Sequence, residues 1–397
     1  MKFLTSPLPF TRRAIAPRLR RMSEVPGVQL LQPLSTHRSP IEAQSGIALI
    51  VVMISIFVLT ILAGGFAFSM KIETKLARNA NNETELEWLG RSGVEYARYI
   101  IAEQAKIASE PYQALNQVWA GGPGGPGTTN SPLALIEREP HLGNGSFTWK
   151  ITDLASKFNV NNLNDSNQGM LQEALIHLGL DAGEMTPVVN SILDWLDVDS
   201  NPHIDGAETD FYQTQNPPYR AKDGPIDDLS ELLMIRGVSR EMFWGSASSN
   251  HTLAAFQNVN RFSSPTDASS FPVGFMDVFT PFSSGKINLN TAPPATLQML
   301  PGVDANIADA IIAARSGEDD GNPLTGPFRN VDANYLFNRV PGLSLPLARA
   351  MQPFVDIRNR TYEVQVDAKI NGYERHFVAI LGFNNPRDVQ VLLFYSR

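Results

Sequence analysis

Between Ile47 and Met70 the chain runs for 24 residues without a charge, IALIVVMISIFVLTILAGGFAFSM. A helix crosses a bilayer core with about 20 apolar residues, so this stretch is long enough to span one. A secretory signal has a shorter hydrophobic region, roughly 7–15 residues, that ends at a small-residue cleavage site. Here Ala63, Gly64 and Gly65 lie inside the run, which favours an anchor. Beyond it, Ile72, Leu76, Leu86, Leu89, Val94, Ala97 and Ile101 recur at three-to-four spacing, the period of an amphipathic helix. Glu87–Arg91 and Arg91–Glu95 are placed to pair at i,i+4 on its wet face. The spacing predicts one long helix that ends at Pro111 or soon after, with an apolar stripe that needs a globular partner.

The pattern then changes. GGPGGPGTTNSP (121–132) is a Gly/Pro loop. Phe147, Trp149 and Ile151 alternate and predict a strand. From 165 to about 285 the segments QGMLQEALIHLG, MTPVVNSILDWLD and IDDLSELLMIRG read as mainly helical. KINLNT (286–291) reads as a return strand, and APPATLQMLPGVDANIADAIIAARS as helix, tight turn and helix. TYEVQVDAKI, RHFVAILGF and VQVLLFYS close the chain as three antiparallel strands separated by polar turns. The fold class is therefore α+β: a long helix and an antiparallel sheet, interrupted by a helical insert.

Charge sharpens this picture. Residues 1–46 hold seven basic side chains (Lys2, Arg12, Arg13, Arg18, Arg20, Arg21, Arg38) against Glu24 and Glu42, a balance of +5. The total is -8, so the rest of the chain carries -13. A basic head before an apolar run orients the head to the cytoplasm. The acidic body argues against nucleic acid, which wants a basic footprint. The chain has no cysteine, which excludes disulfides, thiolate metal sites and cysteine nucleophiles. The six histidines (37, 141, 177, 203, 251, 376) are scattered, and no nucleophile elbow, P-loop or zinc-protease motif is present. No enzyme is expected.

The candidate chemistry lies in DWLDVDSNPHIDGAETDFYQTQNPPYRAKDG. Asp197, Asp199 and Asn201 follow D-x-D-x-N spacing, and Glu208 stands eleven residues after Asp197, as in an EF-hand loop. The sixth place, which needs Gly, is Pro202, and no amphipathic helix follows, so an EF-hand is not expected. The segment remains a dense set of hard oxygen donors, with Asp205, Asp210 and Asp223 near. Either a cation holds these carboxylates together, or they form a solvated turn with Arg220 and Lys222 as counter-ions. Asp194, paired with Asp197, is accounted for by a helix end or by metal. Oxygen-only ligation argues against zinc.

A second motif competes. LQMLPGVDANIADAIIAAR resembles a helix-hairpin-helix module, and more loosely so do ELLMIRGVSREMFWG and LFNRVPGLSLPLARAMQPF. Such hairpins offer backbone N–H groups to phosphate. The usual second glycine is replaced by Asp304, by Ser239 or Arg240, and by Ser344 or Leu345. A carboxylate at that place repels phosphate. A membrane-tethered protein that binds DNA is thus the alternative function.

Gly46–Ile47 before the apolar run, after a basic leader, resembles the processing site of type IV pilins and pseudopilins. The resemblance implies that a prepilin peptidase cuts after Gly46 and that Ile47 becomes the methylated N-terminus. The leader is longer than most in that family, and Met22 offers a second start. Most pseudopilins carry Glu five residues after the cut; here Val51 stands there. That departure, the sheet split by a helical domain with SAM-like hairpins, and the residues LDWLD, GAE and PPYR together resemble the minor pseudopilin K family of type II secretion. What the family implies is a structural Ca²⁺ held by Asp197, Asp199, Glu208 and Asp210, with Asn201 and Asp223 as further ligands. It also implies a place at the pseudopilus tip, where assembly starts and export of folded proteins is supported. The implied partners are minor pseudopilins I and J, with prepilin peptidase, the inner membrane, and exoprotein or secretin. The body would lie in the periplasm and bind no nucleic acid. The expected divisions are a cleaved leader (1–46), a membrane part (47–70), the pilin helix and first strands (71–164), the helical insert with the acidic loop (165–285), its hairpin continuation (286–360) and the last strands (361–397).

Overall fold

A computed structural model describes residues 45–125, 127–245, 273–317 and 325–397. All but the last two residues of the expected leader lie outside the described residues, with His37. So do residues 246–272 of the expected insert, with His251. The chain divides into a unit up to Ile72 and a second unit, Glu73–Arg397.

Helix α1 runs from Ser45 to Gln104. In the first unit its side chains from Ile47 onward are exposed, and it is the one helix among the described residues long and apolar enough to cross a membrane. The helix ends at Gln104, earlier than the break expected at Pro111. Lys106 N–H and Ile107 N–H bond back three residues, to Glu103 and Gln104. Gln104 donates to the buried Glu110 carboxylate at 2.8 Å. That tight turn and buried polar pair end the helix.

In the second unit the stripe of α1 is buried from Leu86 through Leu89, Val94, Ala97, Ile100 and Ile101. Ile72 and Leu76, counted in the same stripe, are exposed. The sheet reaches only as far as Asn79: Tyr373 Oη donates to Asn79 at 2.8 Å, and Arg375 pairs with Glu83 at 3.0 Å. The predicted Glu87–Arg91 pair forms at 2.8 Å, whereas Glu95 pairs with Arg98 instead of Arg91.

The sheet has five strands in sequential order: β1 (His141–Leu142), β2 (Gly145–Asp153), β3 (Thr361–Ile370), β4 (Tyr373–Asn385) and β5 (Asp388–Ser396). Every neighbouring pair is antiparallel, and Gly145 opposite Ile370 through Asp153 opposite Tyr362 joins the two parts of the chain. Phe147, Trp149 and Ile151 of β2 and Val364, Val366, Ala368 and Ile370 of β3 pack in one core with α1. Two glycines set the spacing. A Cβ at Gly90 would lie 2.4 Å from Phe377, and one at Gly93 2.4 Å from Val366.

The helical domain enters between β2 and β3. It contains α2 (Gln168–Leu178), α3 (Ala182–Leu196), α4 (Ala305–Arg315), α5 (Ala333–Arg339) and α6 (Leu345–Met351), with shorter turns between them, around its own core. IDDLSELLMIRG forms a 3-10 turn at Leu229–Met234 with an Asp228–Glu231 capping box. KINLNT does not join the main sheet as a return strand. Only Ile287–Asn288 pairs, in parallel with Val355–Asp356. The reason is polar: Asn290 bonds both the N–H and the C=O of Phe328 (2.7 and 2.9 Å), and Asn288 donates to Asp153 at 2.7 Å.

Asp153 is the buried tie between sheet and insert. Its carboxylate accepts from Ala155 N–H (2.7 Å), Asn288 Nδ2 (2.7 Å) and Thr291 Oγ1 (2.5 Å). Burial still pushes its pKa up to about 6 against those donors. The folded state therefore holds this proton after the unfolded chain has released it, so this group's contribution to stability is fully present below pH 4 and is lost as pH rises through about 6. Asp153→Asn is expected to flatten that segment of the profile, a contribution on the order of 2–3 kcal/mol. Denaturant midpoints measured from pH 4 to pH 7 check it; an unchanged slope contradicts the assignment.

Candidate metal centre in the acidic loop

The loop is built on the last turn of α3. Asp194 is fully buried there, and Asp197 ends the helix. The chain folds back when His203 N–H donates to Asp194 Oδ1 at 3.0 Å, and the His203 ring bridges Asp194 and Asp165. Gly206 passes so close that a Cβ would sit 2.0 Å from Asp194 Oδ2. Arg236 donates to the carbonyls of Asp205 and Gly206 (3.3 and 3.0 Å) and holds this crossing in place. Glu208 then precedes the one-turn helix Thr209–Tyr212, whose Tyr212 ring packs on Trp195 and Tyr219.

This path brings ligand atoms of Asp197, Asp199 and Glu208 within 4.8 Å of one another. Five carboxylate oxygens in the region are buried without a hydrogen-bond partner: Asp194 Oδ2, Asp197 Oδ1, both oxygens of Glu208, and Asp223 Oδ1. Glu208 is only 5% exposed. A buried carboxylate with no donor is costly, so the ionised cluster needs a cation or must take up protons. The local electrostatics carry the same conflict. Burial, with the charges of Asp223, Asp194 and Asp197, pushes Glu208 up to about 7. Burial and the charges of Asp199 and Asp194 raise Asp197, and the hydrogen bond to Asp194 raises His203.

The expected ligands are thus placed unequally. Asp197, Asp199 and Glu208 converge, and Asp223 faces Glu208. Asn201 is exposed and donates twice to Asp199 Oδ1, through N–H at 2.8 Å and Nδ2 at 3.0 Å. Asp210 is exposed and lines the adjoining cavity of about 550 Å³ with Glu208, Asp223 and Arg220. Asp194 is the acid whose part the spacing understates. Its only sequence signal is the i,i+3 relation to Asp197 on one helix face. The counter-ion alternative fails for Lys222, which pairs with Asp227 and Glu231 (2.7 and 2.8 Å). Among the described residues Arg220 makes no ion pair with the cluster. An all-oxygen set with unspent lone pairs fits a hard divalent cation such as Ca²⁺.

The hairpins offer a different surface. Gly237, Gly302 and Gly342 all have positive φ (83°, 70° and 84°), the conformation that lets each chain turn into its next helix. Two residues later Ser239, Asp304 and Ser344 cap those helices, accepting from Met242, Ile307 and Leu347 N–H. The replaced glycines are therefore caps. The carboxylate of Asp304 occupies the place a phosphate would take at α4.

Comparison with known proteins follows both features. Residues 156–244, which contain the acidic loop, match the family Type II secretion system (T2SS), protein K. Residues 283–355 match the Helix-hairpin-helix motif. The chain is 25% identical over 210 residues to "Putative type II secretion system protein K" of Escherichia coli K12, covering 50% of this chain and 60% of that protein. It is 24% identical over 204 residues to "Type II secretion system protein K" of Pseudomonas aeruginosa, covering 49% and 57%. The matches therefore span less than two thirds of these relatives. A chain of the solved GspK-GspI-GspJ complex from the enterotoxigenic Escherichia coli Type 2 Secretion System covers 81% of this chain and 99% of its own length, with a TM-score of 0.58 at 15% identity. That likeness shows a shared fold; the resemblance to type II secretion system protein K rests on the family match and the curated relatives.

Proposed function

We propose that this chain is a K-type minor pseudopilin at the tip of a type II secretion pseudopilus, where it starts assembly and supports export of folded proteins across the outer membrane. The observation that carries this reading is the pairing of β2 with β3 across the helical insert. It makes a helix-on-sheet pilin body from two distant parts of the chain and leaves the acidic loop on the insert, within the matched residues 156–244.

The role is structural. Prepilin peptidase cuts after Gly46 and Ile47 is methylated. The apolar part of α1 anchors the chain in the inner membrane, with the acidic body in the periplasm. Val51 supplies no carboxylate for the new N-terminus of a subunit below, so a place at the top of the filament suits it. The partners are the I and J pseudopilins, named together with K in the related solved complex, with exoprotein or secretin beyond the tip. A structural Ca²⁺ is held by Asp197, Asp199 and Glu208, with Asp223 beside them; Asn201 and Asp210 take more distant places. Bound there, the ion offsets the repulsion of the cluster and fixes the long loop to α3.

Co-expression of the full chain with I and J subunits tests the reading. The three are expected to purify as one complex, and recovery of this chain alone contradicts it. The helix-hairpin-helix match favours the second reading, DNA binding by a membrane-tethered protein. The capped helix N-termini oppose it. A gel shift of the full chain with duplex DNA at low salt separates the two, and a shift that weakens steeply with salt supports the DNA reading.

A further inference from the structure

The last strand, β5, is an open edge of the main sheet. It pairs with β4 on one side, and among the described residues no backbone pairs with its other side. Open edges are usually kept short, or carry Lys, Pro or an inward charge that discourages further pairing. The opposite edge, β1, is only two residues long. β5 has no such guard: Val391–Tyr395 reads VLLFY, without charge or proline, and Val391, Leu392, Leu393 and Tyr395 are exposed. A bulge leaves Leu392 without a partner on β4, so the regular part of this edge begins at Leu393.

The ladder fixes which groups are free. Arg397 N–H donates to the His376 carbonyl at 2.9 Å, and Ser396 stands opposite Phe377. Bonded and non-bonded pairs alternate along an antiparallel ladder, so Phe394 and Ser396 turn their N–H and C=O groups outward. Side chains alternate as well. Phe394 lies on the α1 face, where the Arg91 guanidinium stands 5.6 Å from its ring and 5.9 Å from that of Trp88, which is 65% exposed. Leu393 and Tyr395 lie on the other face and line a cavity of about 440 Å³ with Asp227, Asp228, Glu363 and Lys157. The Lys157 amine is engaged by the Met276 carbonyl at 2.5 Å, so three carboxylates face one amine that is already bonded.

We infer that β5 accepts an extended segment of a partner protein as a sixth strand, with apolar residues on its α1 face and Lys or Arg, at the alternate positions, over the acidic cavity. The outward groups of Phe394 and Ser396 supply the backbone bonds, and the flanking side chains supply the selectivity. Trp88 and Arg91 are of the types that dominate protein contacts. Charge selects this occupant over a second copy of the chain, because two β5 edges paired about a two-fold axis would bring their acidic cavities to the same face of the joined sheet. The inference rests neither on the metal site nor on the proposed function.

Two acetylated eight-residue peptides test it, one alternating valine with lysine and one alternating valine with glutamate, each added to the full chain in phosphatidylcholine nanodiscs. The lysine peptide is expected to bind and to slow hydrogen exchange in β5. The glutamate peptide should bind at least about tenfold more weakly, with the difference shrinking as salt is raised. Glu363→Gln combined with Asp227→Asn should bring the two affinities to within about threefold of each other, while the lysine peptide still protects the strand. Leu393→Lys, which places a guarding charge on the edge, should abolish the binding of both. Equal affinity of the unsubstituted chain for the two peptides, or no slowing of exchange by either, overturns the inference. So does protection of β5 that appears without peptide as the chain self-associates, which marks a second copy. Protection by added I and J subunits, with no binding of the lysine peptide, also overturns it and marks a preformed surface instead of an added strand.

Discussion

Removing calcium from the protein should lower its melting temperature by several degrees, and returning calcium should restore it. Five buried carboxylate oxygens without donors surround the end of α3. Without an ion the cluster must either stay charged in a poorly solvated place or take up protons, the direction in which burial and the neighbouring carboxylates push Glu208, up to about 7. A cation present at 100 times its dissociation constant adds about 2.7 kcal/mol of stability. Two substitutions separate this from general loop damage. Glu208→Gln keeps the shape and removes one negative charge, so without calcium it should be at least as stable as the wild type at pH 7, with most of its response to calcium lost. Gly206→Ala places a methyl group against Asp194 and should weaken the calcium response by displacing that carboxylate. A melting temperature indifferent to chelation, or a Glu208→Gln variant that is less stable without calcium, contradicts the assignment. Differential scanning calorimetry with and without chelator makes the comparison.

The second large effect belongs to the helix–sheet interface. Gly93→Ala and Gly90→Ala should each destabilise the pilin body, although Ala is the better helix former by about 1 kcal/mol. The added Cβ would lie 2.4 Å from Val366 or from Phe377. Neither neighbour can retreat easily. Val366 is fully buried and β-branched, and Phe377 is stacked on Phe394 at 5.6 Å. Overpacking of this kind costs typically 1–3 kcal/mol, so the clash outweighs the propensity gain. Gly169→Ala in α2 is the control with the opposite sign, because its Cβ would meet nothing within 4 Å. Denaturant unfolding that shows all three variants stabilised would mean that α1 does not approach the sheet this closely.

Sequence periodicity carried much of this architecture. The uncharged run Ile47–Met70 predicts a helix by its length, and the stripe from Leu86 to Ile101 continues it by the 3.6-residue period that burial of one face against the sheet selects. Alternation at Phe147, Trp149 and Ile151 and in the last three segments predicts the strands. Side-chain exceptions were not legible in that way. Periodicity at Ile72 and Leu76 says nothing of how far the sheet extends, and the end of α1 depends on Gln104 finding Glu110 in the fold. KINLNT has strand-like alternation, yet its asparagines bond Phe328 and Asp153 instead of a ladder. In the acidic loop, spacing brought forward Asp197, Asp199 and Glu208. The part of Asp194 depends on the chain returning through His203 and Gly206, a tertiary event with no short motif. The replaced glycines of the hairpins, by contrast, do have a local signature: Asp or Ser two residues after a Gly is a helix cap.

On the proposed function, a membrane stalk begins at Ile47 and carries the acidic body as a pilin subunit. Intact mass and N-terminal sequencing of the chain from cells that express a prepilin peptidase test it most directly. A product that starts at methylated Ile47, lost when Gly46 is replaced by a bulkier residue, is the expected result. A product that retains the basic leader, in cells where other pilin-like proteins are trimmed, would contradict it.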